Sequence, residues 1–331
     1  MRKVRNRISS EDFEAAEKNI EARELYKSLT ELKPNKSPGP DGITRELYIA
    51  LWPELEEYFI DCVREILEKN ELSEMQKRGA IRITHKKGNR DELKNYRPIT
   101  LLNVDLKILT RTLAKRLKSI LPTIIHKSQK AVPGRHITDN IHIVQDLIDL
   151  INKNEEKAAL LFFDQEKAFD RMSHKFIIKT LEKFGFGENF IKWVKILCTD
   201  TKSFVKVNGF ETSEFDIERG LRQGCPLSPL LYVLVAEVLG IEIRGNRKIQ
   251  GYKYGDQEYK SSQYADDLMM CIINLDSLSE IFKVFAKYEL ATNAKLNKEK
   301  TEALWIGTCY GEMIVSNYWG YLWETKIQMI V

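Results

Sequence analysis

Six consecutive apolar residues, Ala158 to Phe163, end on a carboxylate, Asp164. A continuous apolar run of that length suits a strand buried on both faces, as in the middle of a covered sheet. Any fold for this chain must therefore surround one strand completely and bring Asp164 to the edge where the strand stops. A second carboxylate site follows 102 residues later (266 − 164), where the polar stretch Ser261-Ser262-Gln263 leads into Tyr264-Ala265-Asp266-Asp267 and then an apolar run from Leu268 to Ile273. This reads as strand, tight turn, strand, with both Asp residues at the turn. An Asp-Asp turn on its own is ordinary solvated turn chemistry. If the two strands are neighbours, however, Asp164 and Asp266 converge at one sheet edge. Convergent carboxylates form a hard-oxygen site suited to Mg²⁺.

The rest of the chain mixes helical periodicity with hairpins. Ser10 to Leu32 has helical spacing, with Ser9 or Ser10 as its cap, and Thr44 to Asn70 resumes it with a break at Pro53. The intervening Lys33 to Gly42 is a rigid Pro/Gly loop, either a phosphate-reaching segment or a plain connector. Ala80 to His85, the Lys86-Lys87-Gly88-Asn89 turn and Tyr96 to Leu101 read as a basic hairpin. Asn103 to Leu121 is a long amphipathic helix ended by Pro122, and a loop from Lys130 to Asn140 opens a helix at Ile141. Helices follow at His174 to Phe184 and Glu188 to Asp200, then a hairpin around Gly209. The loop Gly220 to Pro229 opens an apolar helix, Leu230 to Ile243. Another hairpin arm spans Gly251 to Lys260, and Leu278 to Ala291 is helical. This irregular alternation predicts an α+β fold, with an antiparallel or mixed sheet carrying helices on one face.

Composition excludes several classes. At 331 residues the chain buries a large core in one large domain or two smaller ones. Its five cysteines are scattered and never at C-x-x-C spacing, which reads as reduced core thiols and no zinc site. The N-terminus has no apolar segment of a secretion signal, and no run is long enough to span a bilayer, so an intracellular protein of nucleus or cytoplasm is expected. No G-x-G-x-x-G or P-loop spacing occurs. Net charge is only +4, yet cations crowd between Lys77 and Lys118. Local basic surface on a near-neutral chain suits a polyanion bound at one place, and a solvated helix face is the plain alternative.

Phe163-Asp164-Gln165-Glu166-Lys167-Ala168-Phe169-Asp170, Arg222-Gln223-Gly224-Cys225-Pro226-Leu227-Ser228-Pro229 and Tyr264-Ala265-Asp266-Asp267 occur in this order. Together they resemble reverse transcriptases of non-LTR (LINE-type) retrotransposons. Asn35 to Gly42, Tyr96 to Leu101, Pro133-Gly134-Arg135 with Asp139-Asn140-Ile141, and Lys295 to Glu302 are similar to the same family. The resemblance runs from about residue 25 to about 307. It departs at two places inside that range. Gln129 to Gly134 is one residue short, lacking an aromatic before Val132, and Asn293 stands where the family has Gly.

The resemblance implies an RNA-directed DNA polymerase with right-hand fingers and palm, the Tyr-Ala-Asp-Asp hairpin lying in the palm sheet and no thumb in this stretch. The expected divisions are an N-terminal helical extension of the fingers (1–66), a fingers–palm domain (67–307) and an atypical tail, read as truncated (308–331). Asp164 and Asp266 would bind two Mg²⁺ ions, with Mn²⁺ as a substitute, and Asp267 would stand alongside. The Gln165 carbonyl would assist. Arg97 and a lysine of the turn, Lys86 ahead of Lys87, would grip the triphosphate. Phe169 matches the residue that crowds the 2′ position, although from the residues alone it is equally a core aromatic. Gln223 and Gly224 would lie under the incoming nucleotide, against the plain alternative of a turn before a helix. Lys300 matches the lysine that protonates leaving pyrophosphate, against that of a solvated helix end. Tyr264 would support the primer end. Implied partners are an RNA template, a DNA primer or nicked target DNA, and dNTPs. Two other readings stand beside this one: an intron-encoded reverse transcriptase, and a truncated, inactive remnant that only binds nucleic acid.

Overall fold

The strands, in chain order, are β1 (Arg78–His85), β2 (Tyr96–Leu101), β3 (Ala158–Phe163), β4 (Lys202–Val207), β5 (Phe210–Glu211), β6 (Phe215–Asp216), β7 (Tyr252–Tyr254), β8 (Gln257–Tyr259), β9 (Ser261–Tyr264), β10 (Asp267–Ile272), β11 (Glu302–Ile306) and β12 (Ile327–Ile330). These come from a computed structural model that describes residues 6–307 and 327–330. The chain divides into two units, each assembled from segments far apart in sequence. Among the described residues one comprises 7–120 and 172–231, the other 6, 121–171, 232–307 and 327–330.

In the first unit β2, β1 and β4 form a sheet, with β5 and β6 both antiparallel to β4. β1 and β2 are the expected hairpin, in antiparallel register with Thr84 opposite Arg97. β1 lies parallel to β4. The expected single helix from Ser10 to Leu32 is instead two, Ser10–Glu17 and Ala22–Thr30. Ser9 caps the first through Asp12 N–H, and Glu21 and Glu24 form a reciprocal box at the start of the second. Buried Arg116 explains the break. Its guanidinium donates to the carbonyls of Ala16, Lys18 and Asn19 and pairs with Glu24, so the chain ends that a single helix would have satisfied internally find a partner here. The break near Pro53 falls as expected, between Arg45–Ala50 and Trp52–Lys69.

The long helix runs from Val104 to Ile124 and passes through Pro122, which was expected to end it. Pro122 sits in the last turn, where a missing N–H removes only one intrahelical bond, and Ile125 N–H still reaches Leu121 O at 3.0 Å. Arg135 then donates to the carbonyls of Pro122, Ile125 and His126.

The second unit holds the sheet β12-β11-β3-β10-β9. β3 lies between β11 and β10, antiparallel to both, and its side chains alternate between two buried faces. Ala158, Leu160, Met269 and Cys271 pack with Leu147 and Ile151 of the helix Ile137–Lys153. On the opposite face Phe163 meets Phe285 at 4.9 Å and Phe282 at 6.4 Å between ring centroids, both on the helix Leu275–Thr292. Helices thus cover both faces of this sheet, not one as expected, which is what the unbroken apolar run of β3 requires. Each fully buried Leu of β3 contributes about 1.5–3 kcal/mol by leaving water. Asn293 ends the helix Leu275–Thr292 with φ +64, a left-handed conformation that Asn tolerates in place of Gly. β12 extends the sheet in parallel with β11, and the remainder of the expected atypical tail lies outside the described residues.

Among the described residues Cys62, Cys198, Cys225 and Cys271 are unpaired, Cys271 is buried, and no helix is long and apolar enough to cross a membrane. Cys309 lies outside the described residues.

Candidate active site

Pairing between β3 and β10 decides the geometry. Leu268 stands opposite Phe163, so the register places Asp267 and Asp164 at the next step, where both strands end. Asp266 precedes Asp267 in the two-residue turn from β9, beside Ala265, whose φ of +54 lies in the left-handed region. Asp164 and Asp266 are half-buried and Asp267 is exposed. The strands are therefore neighbours, as the convergence of the two carboxylate sites requires.

A third segment closes against Asp164. Asn297 N–H donates to Asp164 O at 2.8 Å, Gln165 bridges Leu296, and Glu166 N–H donates to Lys295 O at 2.8 Å. This brings Lys300 Nζ to 3.7 Å from Asp164 Oδ2 with the lysine still 60% exposed. Glu166 is taken up by an ion pair with Arg171 at 3.0 Å, and that pairing is what draws its carboxyl below the usual range.

Phe169 follows in the short helix Ala168–Arg171. It is half-buried, and its ring stacks on that of Tyr232 with centroids 4.8 Å apart. Tyr232 is fully buried within the apolar helix Ser228–Gly245. Burial pushes its phenol well above the usual range, and the negative charges of Asp266 and Asp267 add to that effect. Tyr232 thus underlies both Phe169 and the carboxylates. Sequence reading missed it because a Tyr inside a continuous apolar helix gives no periodic signal separate from its neighbours.

Lys86, Arg97, Gln223 and Gly224 belong to the first unit. Directly opposed residues of an antiparallel pair share a face, and alternate residues along a strand return to it. Arg82, Thr84 and Arg97 are accordingly on one exposed face of the hairpin. Lys86 N–H donates to Asn95 O at 2.9 Å, which carries the ladder one step further and puts Lys86 on that face while Lys87 falls to the other parity. At the open edge of β2, Thr100 N–H donates to Gln223 O at 2.8 Å. Gly224, with φ +119, lies so close that a Cβ there would sit 2.3 Å from Thr100 O. The Gln223-Gly224 pair is thereby fixed to the strand that carries Arg97. The nine expected site residues fall into two groups: Asp164, Phe169, Asp266, Asp267 and Lys300 in one unit, Lys86, Arg97, Gln223 and Gly224 in the other.

Carboxylate oxygens have the donor chemistry that Mg²⁺ requires. Among the described residues, no three His, Cys, Asp or Glu side chains are already gathered at metal-binding spacing.

The family model described as "Reverse transcriptase (RNA-dependent DNA polymerase)" matches residues 84–328. The chain belongs to the reverse transcriptase family. Its match continues past residue 307, where the resemblance read from sequence stopped. The chain is 34% identical over 97% of its length to a Xenopus laevis protein named "Transposon TX1 uncharacterized 149 kDa protein", covering 24% of it. It is 27% identical over 69% of its length to a Pol polyprotein of retrotransposable element R2 from Popillia japonica, covering 32% of that protein. It is 24% identical over 85% of its length to the RNA-directed DNA polymerase of mobile element jockey from Drosophila funebris, covering 31%. All three relatives are named for transposable elements, and the chain spans about a quarter to a third of their length. Among solved structures, telomerase from Candida albicans in complex with a fragment of telomeric RNA matches with TM-score 0.51 at 15% identity, over 80% of this chain and 47% of that one. Apo telomerase from Candida tropicalis matches with TM-score 0.51 at 16% identity, over 79% and 56%. These likenesses are of fold: an α+β polymerase of fingers and palm. Enzymes of the family depend on divalent metal.

Proposed function

We propose that this chain catalyses RNA-templated DNA synthesis, in which the 3′-hydroxyl of a DNA primer attacks the α-phosphorus of a dNTP and pyrophosphate leaves. The observation that carries the reading is the β3–β10 register, which brings Asp164 and the Asp266-Asp267 turn to one sheet edge. Asp164 and Asp266 would hold Mg²⁺, with Asp267 and the Gln165 carbonyl alongside, and Mn²⁺ would substitute. Paired divalent ions in such a site stabilise both the attacking and the leaving oxygen of an in-line displacement.

The chain's own residues supply the rest. Lys86 and Arg97, on one exposed hairpin face, neutralise the triphosphate. Gln223 and Gly224 form the floor beneath the incoming nucleotide, where the absence of a Gly224 side chain leaves backbone close to backbone. Phe169, held against Tyr232, limits space at the sugar 2′ position and favours deoxynucleotides. Lys300, mostly exposed and near Asp164, donates a proton to departing pyrophosphate. The RNA in the telomerase complex of similar fold supports an RNA template as the polyanion that the basic surface meets.

Extension of oligo(dT) on poly(rA) with dTTP and Mg²⁺ tests the reading. Wild type incorporates nucleotide and Asp266→Ala does not. Equal incorporation by both variants, or none by wild type, refutes it.

A further inference from the structure

The turn that carries Asp266 has an unusual support. Ala265 sits at φ +54, a conformation that costs an L-residue about 1–2 kcal/mol unless its surroundings hold it. Turn residues of this kind ordinarily leave their backbone groups to water. Here both belong to one buried side chain. Ala265 N–H donates to Gln129 Oε1 at 2.9 Å, and Gln129 Nε2 donates to Ala265 O at 3.3 Å. Gln129 has no exposed surface, and its Oε1 also accepts from Ala131 N–H at 3.0 Å.

Gln129 is itself fixed to the same hairpin. Gln263 N–H donates to Ser128 O, and Lys130 N–H donates to Gln263 O, each at 2.8 Å, so residues 128–130 run as a short extra strand beside β9. Asn140 continues the hold, donating to Gln263 O at 3.2 Å and accepting from the Ser262 hydroxyl. The main chain of Gln129 thus grips the arm of the hairpin while its amide grips the tip. A carboxamide is the one group of this length that offers an acceptor and a donor side by side, matching an N–H and a C=O of one residue.

We infer that Gln129 is a positioning residue for the reaction: its amide clamps Ala265 in the left-handed conformation and thereby fixes where Asp266 points. Gln129 touches no reacting group and acts through the turn. The inference uses the proposed polymerase reading only for its catalytic consequence. The clamp stands on geometry alone.

The two parts separate in one experiment on Gln129→Met, an apolar side chain of the same length, and Gln129→Asn, which keeps the amide but falls one methylene short. The first readout is amide hydrogen exchange. Ala265 exchange rises at least about tenfold in both variants, while the amides of β3 and β10 keep their protection. The second is single-nucleotide incorporation, where kcat falls about 10- to 100-fold with the dTTP KM little changed, as expected for displaced geometry and not lost binding. Unaltered Ala265 exchange in either folded variant overturns the clamp. Raised exchange with wild-type kcat overturns its role in positioning. A wild type that extends no primer defeats the polymerase reading, and the exchange measurement still decides the clamp.

Discussion

Gly224→Ala is the sharpest test of how the Gln223-Gly224 pair is built. Two costs arise there and can be separated. The first is conformational, because φ +119 lies in a region that only Gly enters freely, and forcing Ala into it costs about 1–3 kcal/mol. The second is overlap. A Cβ would stand 2.3 Å from the backbone oxygen of Thr100, and relief requires the loop to retreat by about 1 Å. That retreat breaks the 2.8 Å hydrogen bond from Thr100 N–H to Gln223 O, costing about 1–3 kcal/mol more as a strand-edge donor loses its partner. Gly255 is the control, with φ +57 and nothing within 4 Å of its Cβ position. Gly255→Ala carries only the conformational cost of about 1–2 kcal/mol. Urea unfolding of both variants, followed by fluorescence and far-UV circular dichroism, should place Gly224→Ala about 1–3 kcal/mol below Gly255→Ala, because the conformational costs largely cancel and the lost hydrogen bond remains. A difference under about 0.5 kcal/mol would refute the close approach as the reason for glycine at this position.

Three further outcomes are expected. Phe169→Val should raise the use of ribonucleotides relative to deoxynucleotides in single-turnover incorporation, by about tenfold or more, and an unchanged ratio would leave Phe169 as packing for Tyr232 alone. Lys86→Ala should raise the dNTP KM about 10-fold while Lys87→Ala changes it less than about twofold, since only Lys86 shares the face of Arg97, and equal effects would contradict the parity argument. Burial, with the charges of Arg244, Lys127 and Arg135, lowers the His126 pKa to about 4. A base depressed in the fold contributes stability above its unfolded value of about 6.5 and loses it as pH falls toward 4. The stability of wild type should therefore decline over that window more steeply than that of His126→Gln, as measured by urea midpoints at pH 7 and pH 5.

Much of the site was legible because its signals are local. The apolar run of β3, the polar-to-apolar switch at Tyr264 to Met270 and the Pro/Gly punctuation of Gly220 to Pro229 all announce their own structure. β1, β2, β3 and the helix His174–Phe184 begin or end where the residues suggest. Long-range partners were not legible. Nothing near Ser10 to Leu32 announces that Arg116, 97 to 100 residues away, will satisfy the carbonyls at a helix break. Nothing near Gln129 announces that its amide meets Ala265. The covering of both sheet faces was implied by β3 itself, yet the hairpin count pointed to an open face. Tyr232 shows the same limit, since a buried polar group inside an apolar helix is identifiable only through what it touches.

The central claim is that Asp164, Asp266 and Asp267 serve template-directed synthesis on RNA. Single-nucleotide incorporation on four RNA templates differing only in the first templating base tests it most directly, with wild type, Asp164→Asn and Asp266→Asn compared in Mg²⁺. Wild type should add the complementary dNTP on each template, and both variants should fall by at least about 1,000-fold. Incorporation that ignores the templating base, or that survives in either variant, would contradict the account.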